Sequence, residues 1–238
     1  MKKAILTIIS VSAIIFCLVS VVLPRHKADL YSALYEQNVT IEKSQEKEIS
    51  LKKGDCFVLG EIYGEPIVWE IIEDGEKPLA WSKNAICFKA YDDKSSDWLT
   101  SDLREWLNSE SGFLSAENFN STDFVKQNKD GDTMFLLSKQ QLQQFSESKR
   151  VKAPTASAIR NDGSNKLVIR KNCWYWTISP IETNSSSVAA VTQSGGFYKT
   201  LPTDTLMGVC PAFYLESKAV TICGGNGTKE KPYVIQNF

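Results

Sequence analysis

The sequence predicts an α+β domain: a small, twisted, mostly antiparallel sheet with two short helices, preceded by one N-terminal transmembrane helix. Three observations predict it. An apolar run, Ala4 to Leu23, follows Lys2 and Lys3 near the start of the chain. Short segments rich in Val, Ile, Phe and Trp, separated by Gly, Pro and Asp-Gly turn signals, flank a helical centre. Those segments come as strands, then helices, then strands, and not in βαβ alternation.

The apolar run is broken only by Thr7, Ser10, Ser12 and Ser20. At about 1.5 Å per residue its length matches the roughly 30 Å hydrocarbon core. A cleaved signal peptide would need a shorter apolar region and a small-x-small site. The best match, Leu18-Val19-Ser20, is poor. Residues 1–27 therefore read as a signal anchor crossing the membrane once through residues 4–23. The rest is expected to be extracytoplasmic, or secreted if the segment is cut. Residues 28–53 read as a juxtamembrane helix and a charged stalk, and 54–238 as the folded domain.

Cys56–Tyr63, Ile67–Ile72 and Leu79–Ser82 read as an antiparallel meander, with turns at Gly64-Glu65-Pro66 and Asp74-Gly75. The central helix follows Ser101, a residue suited to cap it. Asp102 and Glu105 place negative charge at the positive end of its dipole. Leu99, Leu103, Trp106 and Leu107 recur at three- and four-residue steps, so one face must be covered. Thr133–Leu137 reads as a strand. Ser138 and Gln141 form a capping box that starts a second helix running to about Ser148, with Leu142 and Phe145 inward. Strands are then expected at Leu167–Ile169, Trp174–Ile178, Val188–Val191, Val209–Leu215, Val220–Cys223 and Tyr233–Ile235.

Composition removes several functions. Lys+Arg number 27 and Asp+Glu 28, a net charge of -1, so no basic excess recommends nucleic acid. His26 is the one histidine and lies beside the anchor, so Ser-His-Asp, Cys-His and His-ligated zinc sites are not available within the domain. A Ser-Lys or two-carboxylate arrangement stays arithmetically open. Asp92-Asp93, Asp97 and Asp130-Gly131-Asp132 show no metal-ligand spacing, and the last reads as a solvated turn. No catalytic residue, cofactor or metal is assigned.

Past the anchor lie Cys56, Cys87, Cys173, Cys210 and Cys223, without CxxC spacing; buried reduced thiols are the plain reading. In Trp174–Ile178 large rings alternate onto both strand faces, so one set approaches solvent. Tyr175 and Tyr198 are the candidate ligand-contacting rings, and the loop from Asn184 to Ser187 and the turn from Gln193 to Tyr198 the groove that frames them.

The chain resembles an uncharacterised bacterial family, domain of unknown function 6273. Trp98…Ser101-Asp-Leu-Arg-Glu-Trp-Leu-Asn108, Phe135-Leu-Leu-Ser138, Trp176-Thr-Ile-Ser-Pro180 and Gly208-Val-Cys-Pro-Ala212 follow that family's motif order. By a weaker analogy the family is similar to the C-type-lectin-like fold of formylglycine-generating enzymes, which displays variable loops on a twisted sheet. The resemblance implies arginine where this chain has Ile178 and Cys210. The lectin-like analogy would bring Cys173 near Cys210, and Cys56 near Cys223, as possible disulfides. No activity comes with the family. The reading is a membrane-anchored, non-catalytic binding domain for a glycan, peptide or protein. A structural envelope protein and a carboxylate hydrolase are the alternatives.

Overall fold

The structure is a computed structural model. It describes residues 47–162, 171–181, 184–216 and 219–235. The chain divides into two compact units, Met1–Gln45 and Glu46–Phe238, and every described residue belongs to the second. The expected membrane segment and the strand expected at Leu167–Ile169 lie outside the described residues. Among those described, no helix is long and apolar enough to cross a membrane.

The elements run β1 (Lys47–Ser50), β2 (Cys56–Ile62), β3 (Glu65–Glu73), β4 (Leu79–Ser82), β5 (Cys87–Phe88), a 3-10 turn (Trp98–Thr100) and α1 (Asp102–Asn108). Then follow β6 (Val125–Lys126), β7 (Phe135–Leu136), α2 (Lys139–Leu142), α3 (Glu147–Arg150) and α4 (Ala156–Asn161). The last third holds β8 (Tyr175–Ile181), β9 (Asn184–Val191), β10 (Phe197–Thr200), β11 (Gly208–Val209), β12 (Pro211–Leu215), β13 (Ala219–Gly224) and β14 (Tyr233–Ile235). They form two sheets where one was expected. A nine-stranded sheet follows the order β1-β13-β14-β2-β3-β4-β12-β6, with β7 also on β12; a five-stranded sheet follows β10-β9-β8-β11-β5. Antiparallel pairing dominates, with parallel contacts at β14–β2 and β11–β8.

The meander forms as its turn signals predict. The charged stalk does not extend to residue 53, because Lys47–Ser50 pairs with β13 and Leu51 is buried. The strand expected over Val209–Leu215 is split. Gly208–Val209 joins the smaller sheet and Pro211–Leu215 the larger, so Cys210 lies where one chain passes between sheets. Proline has no N–H for the ladder and suits the first position of the new strand.

Ser101 caps α1 as expected, its hydroxyl accepting from Arg104 N at 3.2 Å. Leu103 and Leu107 are buried and Trp106 is half-buried against Phe113. Leu99 is 53% exposed, because it lies in the 3-10 turn before the cap and out of phase with the helix. The capping box at Ser138 and Gln141 is present, but α2 stops at Leu142. Ser146 then caps α3 through Lys149 N, so one expected helix becomes two short ones. Among the described residues, four short helices and the 3-10 turn replace the two predicted for the domain.

Candidate functional site

Three polar constellations and one exposed surface stand out. The first explains the Trp98–Asn108 signature. Asp132 is buried; it accepts from Trp98 Nε1 at 2.9 Å and from Arg104 Nε at 2.5 Å. Arg104 also donates to the carbonyls of Leu99 and Asp130. Asn108 donates to Met134 O and accepts from Thr133 N and Met134 N. Asp130 and Gly131 are exposed, as expected of a solvated turn, whereas Asp132 is buried and fastens the loop to the partly exposed Arg104 of α1.

The second constellation surrounds Lys152, which sequence reasoning missed. Glu70 and Trp81 face each other in register across β3 and β4, so their side chains share a sheet face, and Ala212 joins them from β12. Lys83 and Lys149 both bind the buried Glu70 carboxylate. Burial pushes the Glu70 pKa up, and the two lysine hydrogen bonds more than offset that, leaving it below the ordinary value. The Lys152 ammonium lies 3.3 Å above the Trp81 ring and donates to Ser82 O at 2.5 Å. Burial pulls its pKa down to about 7, against opposing contributions from Cys210 and Glu70. Ser82 Oγ makes no hydrogen bond of ordinary length and faces the Cys210 thiol. An amine that titrates near neutral pH is a potential base or nucleophile. Lys152 is 3% exposed, on the Trp81 ring that Phe145 stacks against.

The third constellation is Asp92, Asp93 and Asp102, whose carboxylate oxygens lie within 4.8 Å of one another. Asp92 accepts from Lys94 N, Ser95 N and Asp102 N, and Asp93 pairs with Lys94. These contacts hold a turn against the start of α1.

The exposed surface lies at the edge of the smaller sheet. Register lines up Tyr175, Val191 and Phe197 on one face and Trp176, Ala190 and Tyr198 on the other. The first face is covered. Tyr175 is 1% exposed and donates to Arg150 O at 2.8 Å, so this candidate ring is a core residue. Phe197 takes Lys139 and Arg150 against its ring. On the second face Tyr198 is 59% exposed and meets half-buried Trp174 edge-on at 5.7 Å; Leu201, 59% exposed, follows β10. Of the two predicted rings, Tyr198 reaches the surface and Tyr175 does not. Asn184 opens strand β9 and is not in the loop expected there. Trp174 belongs to the alternating rings of its strand, and nothing local marks Leu201 as exposed.

The turn that was to frame the groove is the β9–β10 hairpin. Thr192 N donates to Gly196 O at 2.8 Å, and Gly195 N donates to Thr192 O at 2.9 Å. Gly195 has φ +88°, and a Cβ there would lie 2.0 Å from Glu147 O. Glycine is required on both counts.

Cys56, Cys87, Cys173 and Cys210 are buried free thiols. Cys173 precedes β8 and Cys210 follows β11, which pair in parallel at Gly208↔Tyr175. Neither residue lies within a strand, and the two thiols are near enough to interact, yet both are free. Strand β14 lies between β13, with Cys223, and β2, with Cys56. Burial pushes the Cys87 and Cys173 thiols up to about 12 and Cys210 well above its ordinary value. The proposed pairs therefore do not form in this structure.

These features define a two-sheet α+β domain with sealed internal charges and one aromatic edge. A family model, domain of unknown function (DUF6273), matches residues 79–217, from β4 past the end of β12. The chain belongs to that family. No curated protein and no solved structure matches it.

Proposed function

We propose that this protein is a membrane-anchored, extracytoplasmic, non-catalytic binding domain whose contact surface is the β10 edge. The observation that carries the reading is the joint exposure of Tyr198 and Leu201 beside the half-buried Trp174. Amphipathic rings on a rigid strand supply contact area with little ordering cost, which suits a glycan, peptide or protein ligand. The apolar run Ala4 to Leu23 supports the anchor. The sealing of Lys152 supports the non-catalytic role. Loops and an edge displayed on a sheet also agree with a lectin-like use of the fold.

The test is a panel of envelope glycans and extended peptides, probed with the wild-type chain and with Tyr198→Ser/Leu201→Ser. Both side chains are exposed, so the variant keeps its fold. A ligand retained by the wild type and lost by the variant is expected. Equal retention by both would place the contact elsewhere.

A further inference from the structure

Among the described residues β10 ends the smaller sheet, with no strand on one side of its backbone. The hairpin fixes which groups face outward. Thr192 and Gly196 are a hydrogen-bonded pair. Hydrogen-bonded and non-hydrogen-bonded pairs alternate along an antiparallel ladder. Tyr198 and Thr200 therefore turn their N–H and C=O groups inward to β9, and Phe197 and Lys199 turn theirs outward. Among the described residues no backbone partner meets those outward groups. They stand about 6.8 Å apart, the two-residue repeat of a pairing strand.

Charge decides what fits there. A second copy of this chain would pair as 197 against 199, with Tyr198 opposite its counterpart. That arrangement sets Lys199 beside a Phe197 ring already approached by Arg150 at 4.7 Å and Lys139 at 5.7 Å. Like charges at cross-strand neighbours are destabilising, and an edge lysine is a common guard against self-pairing. An acidic residue at that position meets Lys139, Lys199 and Arg150, the last partly offset by Glu147, which pairs with it at 3.9 Å. Asp204 meets Thr200 at the other end of the edge, so the positive charge that remains, chiefly Lys139 and Lys199, is in the middle.

We propose that an extended segment of a partner polypeptide adds to β10 as a sixth strand, with an acidic side chain over Phe197 and an apolar or aromatic one against Tyr198 and Trp174. Backbone hydrogen bonds to Phe197 and Lys199 supply the pairing, and the alternating side chains supply selectivity. This rests on the β10 edge being the contact surface, and narrows its ligand to a strand-forming peptide.

The probe is a short synthetic peptide alternating glutamate with tyrosine and valine, titrated onto the full-length chain, with its lysine-for-glutamate counterpart as comparison. The acidic peptide should bind about tenfold more tightly than the basic one. Amide exchange should slow at Phe197 and Lys199 and stay unchanged at Tyr198, whose N–H already serves β9. Lys199→Pro removes one outward N–H at an edge that tolerates proline and should weaken binding about tenfold beyond Lys199→Ala, which keeps it. No binding of the acidic peptide, or equal binding by Lys199→Pro and Lys199→Ala, overturns strand addition. If Tyr198→Ser also abolishes binding while the two Lys199 variants agree, the surface stands and the strand does not. Self-association that protects Phe197 and Lys199 without peptide would make the occupant a second copy and overturn the partner assignment.

Discussion

Lys152 has a stem that fits a core and a head that does not. Its ammonium has one carbonyl and one ring face for company, and Glu70, the nearest carboxylate in the cluster, is occupied by Lys83 and Lys149. Its pKa falls from 10.5 to about 7 on folding. Above pH 7 the folded chain therefore releases a proton that the unfolded chain keeps, and stability rises with pH. The buried thiols act oppositely. Their folded pKa values are raised, so above about pH 8.5 the unfolded chain ionises first and stability falls. Thermal unfolding should thus show a maximum between about pH 7 and 8.5. Lys152→Met should abolish the rising limb, keep the fall, and raise stability at pH 6 by a few kcal/mol, on the order of 2–4. A pH profile identical to wild type would show that Lys152 stays charged through this range.

The Arg104–Asp132 pair works the other way, as a charge fully partnered within the fold. Asp132→Ala leaves Arg104 Nε and Trp98 Nε1 without their acceptor and removes the countercharge of Arg104, and should cost about 3–5 kcal/mol in urea unfolding. Arg104→Lys should recover little, because an ammonium cannot reach Asp132, Leu99 O and Asp130 O from one planar fork. A loss below about 1 kcal/mol for Asp132→Ala would mean that the loop is solvated after all.

At the scale of elements, α1 is too short to be stable alone and depends on what it covers. Leu107→Ala should cost about 2–5 kcal/mol. Trp106→Ala should cost less, since its ring is half-buried and its contacts are Phe113 and the overlying Lys89. Equal losses in chemical denaturation would show that Trp106 is the organising residue. The caps at Ser101 and Ser138 were legible because they are local. A hydroxyl and the N–H groups just beyond it meet whatever the rest of the chain does. The break between α2 and α3 was not legible. Periodicity through Leu142 and Phe145 continues across it, and only the placement of Phe145 against Trp81 shows where the chain turns. Val209–Leu215 likewise reads as one strand, and the division at Cys210 is a matter of which neighbours each half finds.

For the molecule as a whole, the order strands, helices, strands was readable, and so was the pairing of the chain end into a sheet. The number of sheets was not, because non-local partners carry no local signal. The same limit governed the candidate surface. Alternation showed that both faces of Cys173–Ile178 bear rings, yet Tyr175 and Tyr198 differ in fate only because Arg150 and its segment cover one face. The domain boundary moves for a related reason. Removing residues 1–45 should leave a cooperatively unfolding piece, whereas removal to residue 53 deletes β1 and Leu51 and should lower the unfolding midpoint by several degrees, about 4 °C per kcal/mol lost. The same midpoint for both pieces would make β1 dispensable.

Tyr198 and Tyr63 offer the most direct test of the central claim, because both are exposed, at 59% and 52%, and only Tyr198 lies on the proposed surface. Hydroxyl-radical footprinting of the chain, in the cells that produce it and after purification, compares each ring with itself. Selective protection of Tyr198 in the cells, with Tyr63 oxidised equally in both preparations, is the predicted result. Equal oxidation of Tyr198 in both, or protection of Tyr63 in its place, would contradict a binding function at the β10 edge.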